Sequence, residues 1–316
     1  MRDAAVSVVS EVSHRDVVMY LIAIKSIYRF LGAGRIVVLN DGSLTKTDRD
    51  LLTKHLPFVR ILTFRHVPIA NTPKGGCWER LLLIAGLVKD TYVIQVDSDS
   101  LTFAEIPEVL DHIKDNRSFT LLGAGSVATV EPMVDACARA KHSRDSSMEP
   151  QAVSERSLDQ FPDCAKLKYV RGNAAFAGFA HGCFSRTDVV YYSERMERIC
   201  GSKIWHSWGS EQVTSNLIIA NSARTAILPS PKYVSYYALP HIDYSESSFL
   251  HFMGTHRFEH GCYSNLARRV IRNLRVAGKD TELEFNRPAA AADTGALLLH
   301  ASLGDDSAAR MDHSSS

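Results

Sequence analysis

The stretch Tyr92-Val93-Ile94-Gln95-Val96-Asp97-Ser98-Asp99-Ser100 decides how the chain is read. Its first five residues have the length and apolar character of a buried strand, and two acids one residue apart follow at once. Side chains alternate between the two faces of a strand, so Asp97 and Asp99 are expected on one face where the strand meets its loop. Two carboxylates that close repel each other unless a cation lies between them. A hard divalent ion, Mg²⁺ or Mn²⁺, held by one or two carboxylates together with substrate phosphates, suits that arrangement best. An Asp-Ser turn that merely ends a strand would use the same residues, so the surrounding sequence has to decide.

Working outward, residues 4–12 are expected to form a first strand and 15–31 a helix with Val18, Leu21, Ile22 and Ile27 at helical spacing. Residues 35–39 make a second apolar strand, closed by Asn40-Asp41-Gly42-Ser43. A helix over 48–55, a strand over 59–64 and a helix over 78–88 lead into Tyr92–Val96. Strands alternating with helical patterns predict βαβ units, hence an α/β fold on a mainly parallel, doubly wound sheet flanked by helices. In such sheets ligands sit beyond the carboxyl ends of the strands. Asn40-Asp41 and Asp97-Asp99 both fall at such ends. Beyond residue 103 the expected order is a helix at 107–113, a strand at 119–123, strand character at 176–184 and a helix at 211–220. Between them, 131–161 is expected to be a polar, helical or partly mobile insertion whose charged, serine-rich centre at 141–154 forms an exposed lid or connection. One domain over 1–288 is expected, with a donor-binding half at 1–103 and an acceptor-facing half at 104–288. The tail at 289–316, with its alanine run and terminal serines, is expected to be disordered.

Charge and composition exclude several classes. Lys+Arg number 36 against Asp+Glu 35 in 316 residues, so no general field draws nucleic acid or anionic lipid, and anion recognition must be local. Six scattered cysteines with no C-x-x-C pair predict reduced thiols. No segment has the length and apolarity to span a bilayer, and the first residues do not form a signal sequence. These features predict a cytoplasmic location.

Other phrases carry candidate chemistry. Asn40-Asp41-Gly42-Ser43 is an ordinary turn signal on its own, and a candidate nucleotide-binding edge beside a second acidic strand end. In His251-Phe252-Met253-Gly254-Thr255-His256-Arg257, an apolar run delivers His251, Gly254 permits close backbone approach, and Arg257 is able to grip phosphate oxygens. Trp205 and Trp208 bracket His206 in a segment that serves either as an acceptor-sugar platform or as core. Thr72-Pro73-Lys74-Gly75-Gly76 lacks the spacing of a Walker loop and is expected to be a flexible entry to the following helix, with Lys74 a donor contact at most.

These residues resemble the pattern of GT-A-fold nucleotide-sugar glycosyltransferases, most of all family 8, the glycogenin and bacterial lipopolysaccharide galactosyltransferase-like group. Asp97 and Asp99 match its D-x-D acids. His251, Phe252, Gly254 and Arg257 match its late H-F-x-G-x-x-K phrase with arginine for lysine. Arg80 in Trp78-Glu79-Arg80-Leu81 matches its upstream arginine, Asn173-Ala174-Ala175 its N-A-G phrase with the glycine replaced, and Glu211-Gln212 with Asn216 its D-Q-x-x-x-N phrase with Glu for Asp.

The resemblance implies a metal-dependent hexosyltransferase using a nucleotide-diphosphate sugar, UDP-sugar favoured. The acceptor would be a hydroxyl on a glycan, a lipid-linked sugar or a protein, and retention of configuration would be favoured. It implies Asp97, Asp99 and His251 as ligands of Mn²⁺ or Mg²⁺. Asn40, Asp41, Arg80, Asn173, Gly254 and Arg257 would contact the donor, and Glu211, Gln212 and Arg80 would lie near the anomeric carbon. Two alternatives remain at this level. One is a non-catalytic sugar-nucleotide-binding protein of the same fold. The other is a sugar nucleotidyltransferase, for which residues 10–15 lack a glycine-rich, basic triphosphate loop.

Overall fold

The computed structural model describes residues 6–68, 70–125, 128–237 and 243–280. β1 (Val6–Val12), α1 (Val17–Leu31), β2 (Arg35–Asn40), α2 (Lys46–His55), β3 (Arg60–Thr63), α3 (Trp78–Leu87) and β4 (Tyr92–Val96) form the expected βαβ half. β5 (Ser100–Thr102), α4 (Pro107–Lys114), β6 (Ser118–Leu122), β7 (Glu131–Pro132), α5 (Met133–His142), α6 (Pro150–Glu155) and β8 (Lys168–Tyr169) follow. β9 (Gly172–Phe179), α7 (Arg186–Cys200), α8 (Ser202–Trp205), α9 (Ser210–Ala220), β10 (Thr225–Ile227), β11 (Tyr233–Tyr236), β12 (Phe249–Phe252) and α10 (Cys262–Asp280) complete the order. Helix ends carry their own signals. Thr45 and Asp48 form a capping box on α2, Ser185 and Asp188 another on α7, and Gly32 closes α1 in the left-handed region.

The main sheet runs β10-β6-β9-β4-β1-β2-β3. β4, β1, β2 and β3 pair in parallel, as do β10 and β6, while β9 lies antiparallel between β4 and β6. Both faces are covered, and the alternation along each strand shows it. Val8, Val12, Ile36, Val38, Ile94 and Val96 enter the core shared with α1 and α2, whereas Val9, Val37, Leu39 and Val93 enter the one shared with α3, α5, α7 and α9. This two-sided burial explains why these strands read as nearly continuous apolar runs.

Three expectations are corrected. The strand expected at 176–184 occupies Gly172–Phe179 and runs against its neighbours, a reversal that residue periodicity does not encode. The segment 131–161 is not polar throughout: Met133, Ala136, Cys137, Leu158 and Phe161 are buried in the main core, and of the centre expected to be exposed at 141–154 the part that is largely exposed is 141–149. Most of its charges lie on the outer face of α5 and in the loop after it, and the small inner residues of α5 and α6 carry little hydrophobic signal. Val18, placed on the apolar face of α1 by spacing, is 64% exposed. The described residues belong to one compact unit, Met1–Asn286, and the expected tail at 289–316 lies outside them.

Gly178 shows how tightly β9 is clamped. A Cβ there would sit 2.2 Å from Phe119 Cε1 and 2.5 Å from the Tyr92 hydroxyl. Gly178→Ala is therefore expected to destabilise the fold by about 1–3 kcal/mol, the usual range for overpacking, and Phe119→Leu in the same chain should recover part of the loss. Urea unfolding of the two single variants and the double variant reads this coupling. A double variant with simply additive losses would show that Phe119 is not the obstacle.

Candidate functional site

The short sheet β11-β12-β5 does what the main sheet cannot. β5 begins immediately after Asp99 and pairs antiparallel with β12, placing His251 opposite Ser100, Leu250 opposite Leu101 and Phe249 opposite Thr102. The Phe252 amide donates to the Asp99 carbonyl at 2.9 Å. Residues directly opposed in an antiparallel pair have Cα atoms only about 4.5–5.5 Å apart, so this register carries His251 to the acid pair from far along the chain. Potential ligand atoms of Asp97, Asp99 and His251 lie within 4.8 Å of one another.

The imidazole is oriented from behind. His251 Nδ1 lies 3.4 Å from both Ser235 Oγ, on β11, and Asn173 Nδ2, on β9, while Nε2 lies 3.4 Å from Asp99 Oδ1. To ligate a cation the ring would carry its proton on Nδ1, donated to Ser235 Oγ, in place of the Nε2–H that faces Asp99 in the metal-free protein. Asn173 Oδ1 accepts the Ala175 amide, which fixes the sense of its amide group. Asn173 Nδ2 is therefore a donor, bonded to Ser235 Oγ at 3.3 Å, so Asn173 supports His251 through Ser235, a residue not singled out in sequence.

Two arginines flank the acids. Arg80, buried on α3, donates to Asp97, and its other terminal nitrogen lies 3.9 Å from Glu211 Oε2. Arg257 donates to Asp99 Oδ2 at 2.9 Å from the turn that begins at Gly254, whose φ is +47°. In this geometry Arg80 is engaged with acids, Asp97 and the nearby Glu211. Burial alone would raise the Asp99 carboxyl, but the His251 hydrogen bond and the nearby Arg257 charge outweigh it and hold Asp99 below the usual carboxylate range.

The acids open into a cleft of about 240 Å³ lined by Glu11, Asp16, Asp41, Asp97 and Asp99 against only Arg80 and Arg257. That surplus of carboxylates is the setting in which a divalent cation fits. Glu11, at the carboxyl end of β1, escaped the sequence reading. Its signal was the one ionisable residue in Val6–Val12. Burial pushes it up to about 7, partly offset by Arg80. Glu211 is buried one layer deeper. Desolvation pushes it up to about 8 despite Arg80, and its Oε1 has no hydrogen-bond partner.

The remaining candidates separate clearly. Asn40 Oδ1 accepts the amides of Gly42 and Leu44 and closes its own turn, whereas Asp41 faces the cleft. Gln212 is held at both ends, its Oε1 accepting the Ala174 amide and its Nε2 donating to Gln151. Trp205 is core, donating to Ser193, while Trp208 is 75% exposed at the cleft rim, so the two tryptophans divide the readings offered for them. Lys74 is exposed on the loop before α3.

No protein-family model matches the chain, and no curated protein matches it by sequence. Solved structures do. An active-site mutant of LgtC is matched at 11% identity and a TM-score of 0.50, over 86% of this chain and 95% of LgtC. The apo structure of the bifunctional glycosyltransferase WbbM is matched at 16% identity and a TM-score of 0.47, over 80% of this chain. The chain spans less than half of WbbM, 46% of its length. Mouse xyloside xylosyltransferase 1 is matched at 10% identity and a TM-score of 0.41, over 79% of this chain and 97% of that one. The likeness to LgtC shows the fold, which is of the GT-A type. No helix among the described residues is long and apolar enough to cross a membrane.

The raised Glu211 carboxyl makes a stability prediction. Its folded pKa exceeds its unfolded value of 4.5, so between about pH 4.5 and 8 the folded state holds more protons and stability falls as pH rises, levelling off above that window. Glu211→Gln removes this titration and should flatten the metal-free profile by up to about 1.4 kcal/mol per pH unit. Urea unfolding at pH 5, 6, 7 and 8 measures it. Parallel profiles for parent and variant would refute the assignment.

Proposed function

We propose that the protein is a metal-dependent glycosyltransferase that moves a hexosyl group from a nucleotide-diphosphate sugar, UDP-sugar favoured, to a hydroxyl acceptor. The observation that carries this reading is the Asp97-Asp99-His251 group beside Arg257 at the carboxyl edge of a GT-A-type sheet. In this reading residues 1–103 serve the donor, and the acceptor is met by residues 104–288. Mn²⁺ or Mg²⁺ supplies charge neutralisation for the departing diphosphate. Asp97, Asp99 and His251 would hold the ion.

The chain's own residues have distinct tasks. Asn173 and Ser235 keep His251 Nε2 turned toward the acids. Arg80 balances the charge of Asp97 at the cleft floor, with Glu211 beside it, and Arg257, on the rim, grips diphosphate oxygens. Gly254 allows the turn that presents Arg257. Asp41, on the edge of the same cleft, suits the hydroxyls of the nucleoside. Gln212, fixed between Ala174 and Gln151, offers a rigid polar surface beneath the sugar. Retention of configuration is favoured through the family resemblance and is read from the anomeric proton of the first-formed product.

A second reading, a sugar-nucleotide-binding protein without turnover, is favoured by one observation: Glu211 is buried and both ends of Gln212 are occupied. It differs in predicting UDP·Mn²⁺ binding without UDP release.

Asp99→Asn and His251→Ala should each lower Mn²⁺-dependent UDP release from a UDP-hexose by about a hundredfold or more, because several kcal/mol of charge stabilisation depend on the ion. A coupled UDP-release assay with and without EDTA, alongside melting curves to verify folding, measures this. Full turnover by folded Asp99→Asn in Mn²⁺ would refute the metal role.

A further inference from the structure

Resting on the reading above, we propose that the acceptor carries a carboxylate or phosphate, received by a second, basic cavity at the same edge of the sheet. This cavity, about 390 Å³, is lined by Arg139 and His142 of α5, Arg156 just after α6, and Arg171 just before β9, against the carboxylates Asp145 and Glu155. Three arginines line it against two carboxylates, with Glu131 paired to Arg139 outside the lining, whereas the cleft around Asp97 has more acids than arginines.

The arginines are held in place as a preformed site requires. Arg156 donates to the carbonyls of Asp145 and Ser147, Arg139 is braced by Glu131, and Arg171 Nη1 lies 2.5 Å from Glu155 Oε2. Neutral carbonyls leave the charge of Arg156 uncompensated. Arg139 also has a buried Nε with no hydrogen-bond partner. A guanidinium fixed by its own scaffold and bonded only to neutral carbonyls, as Arg156 is, favours an anion, because charge-assisted hydrogen bonds are among the stronger polar contacts.

Two connections tie the cavity to the reacting centre. Glu155 Oε1 accepts from Gln151, and Gln151 Oε1 accepts from Gln212 at 2.7 Å, next to Glu211. On the other side, Arg171 lies two residues before Asn173, the residue that touches His251, and two residues of extended chain span only about 7 Å. A sugar lying over Gln212 would therefore reach the arginines with an acidic substituent. The donor's own diphosphate is served elsewhere, by the metal group and Arg257.

Calorimetric titration of the protein with UDP and Mn²⁺ present tests this, using methyl β-glucuronide and glucose 6-phosphate against methyl β-glucoside. The acidic sugars should bind about tenfold or more tightly than the neutral one, and Arg156→Gln should remove that preference while leaving UDP·Mn²⁺ affinity unchanged. Arg139→Gln supplies a second variant should Arg156→Gln fail to fold. Equal affinity for acidic and neutral sugars, or a preference that survives in both folded variants, would overturn the inference. So would a charge preference seen only when the acid is on the donor, in UDP-glucuronate against UDP-glucose. Repeating the glucuronide titration without nucleotide separates the two readings. Glucuronide binding without UDP·Mn²⁺ binding defeats the donor-site reading alone, and the converse defeats this inference alone.

Discussion

The antiparallel register between β5 and β12 is the constraint on which the site depends. Asp97 and Asp99 are placed by the main sheet, but nothing in that sheet delivers a histidine to them. Pairing His251 with Ser100 does so, and the Phe252 amide bonded to the Asp99 carbonyl locks the pairing beside the acid. A slip of one residue would turn His251 to the opposite face of the strand and leave Phe252 toward the carboxylates. The neighbours resist that slip: Phe249 stacks on Phe176 at 4.2 Å, and Phe252 packs edge-on against Tyr263. Aromatic packing on both sides of the histidine therefore sets the geometry of a polar site.

Around that register the charges form layers. Glu211 and Arg80 are buried below, Asp97 and Asp99 stand at the floor of the cleft, and Arg257 covers one side. A buried arginine among acids is costly to leave unpaired, since removing one partner strands a charge in a poorly solvated place. Desolvation raises Glu211 to about 8 and Glu11 to about 7 in spite of Arg80, so near neutral pH these two contribute little charge and the cleft's acidity rests on its aspartates. The cleft is consequently an attractive place for positive charge. That property comes from the aspartates gathered where β1, β2 and β4 end and not from the chain's near-neutral total.

Much of this was legible in the sequence because it rests on local rules. Tyr92–Val96 was bounded by its apolar run, and the βαβ order of the first hundred residues by alternating periods. The late His-x-x-Gly-x-x-Arg phrase stood out through residue types that bind metals and anions. What escaped depends on partners remote in the chain. The direction of β9 follows from which strands flank it, and the burial of α5 and α6 follows from small residues facing the core, behind a charged exterior in α5. Ser235 gained its role only because β11 lies next to β12. Glu11 is the instructive case, since a lone acid at the carboxyl end of a strand buried on both faces is itself a local signal. Trp205 and Trp208 differ by three positions and have opposite environments, a distinction set by α7 and the loop before α3 and by no property of tryptophan.

The carboxyl edge of the sheet thus presents two fields of opposite sign. The acidic field lies where β1, β2 and β4 end, and the basic one where β6 ends and β9 begins, with Gln212 on α9 bonded toward both through Ala174 and Gln151. A diphosphate repels an acidic cleft unless a cation accompanies it, so in the proposed reading the first field would select the donor together with its metal. An acidic acceptor needs no such escort at the second field, and the first would repel it. Separation of charge along one rigid edge would then sort the two substrates before any reacting atoms meet, and it would orient each with its anionic end outward from the junction at Gln212. Electrostatic complementarity of this kind contributes more to discrimination between partners than to affinity. This is why substitutions in the basic cavity should alter which acceptor is chosen while leaving the donor side untouched.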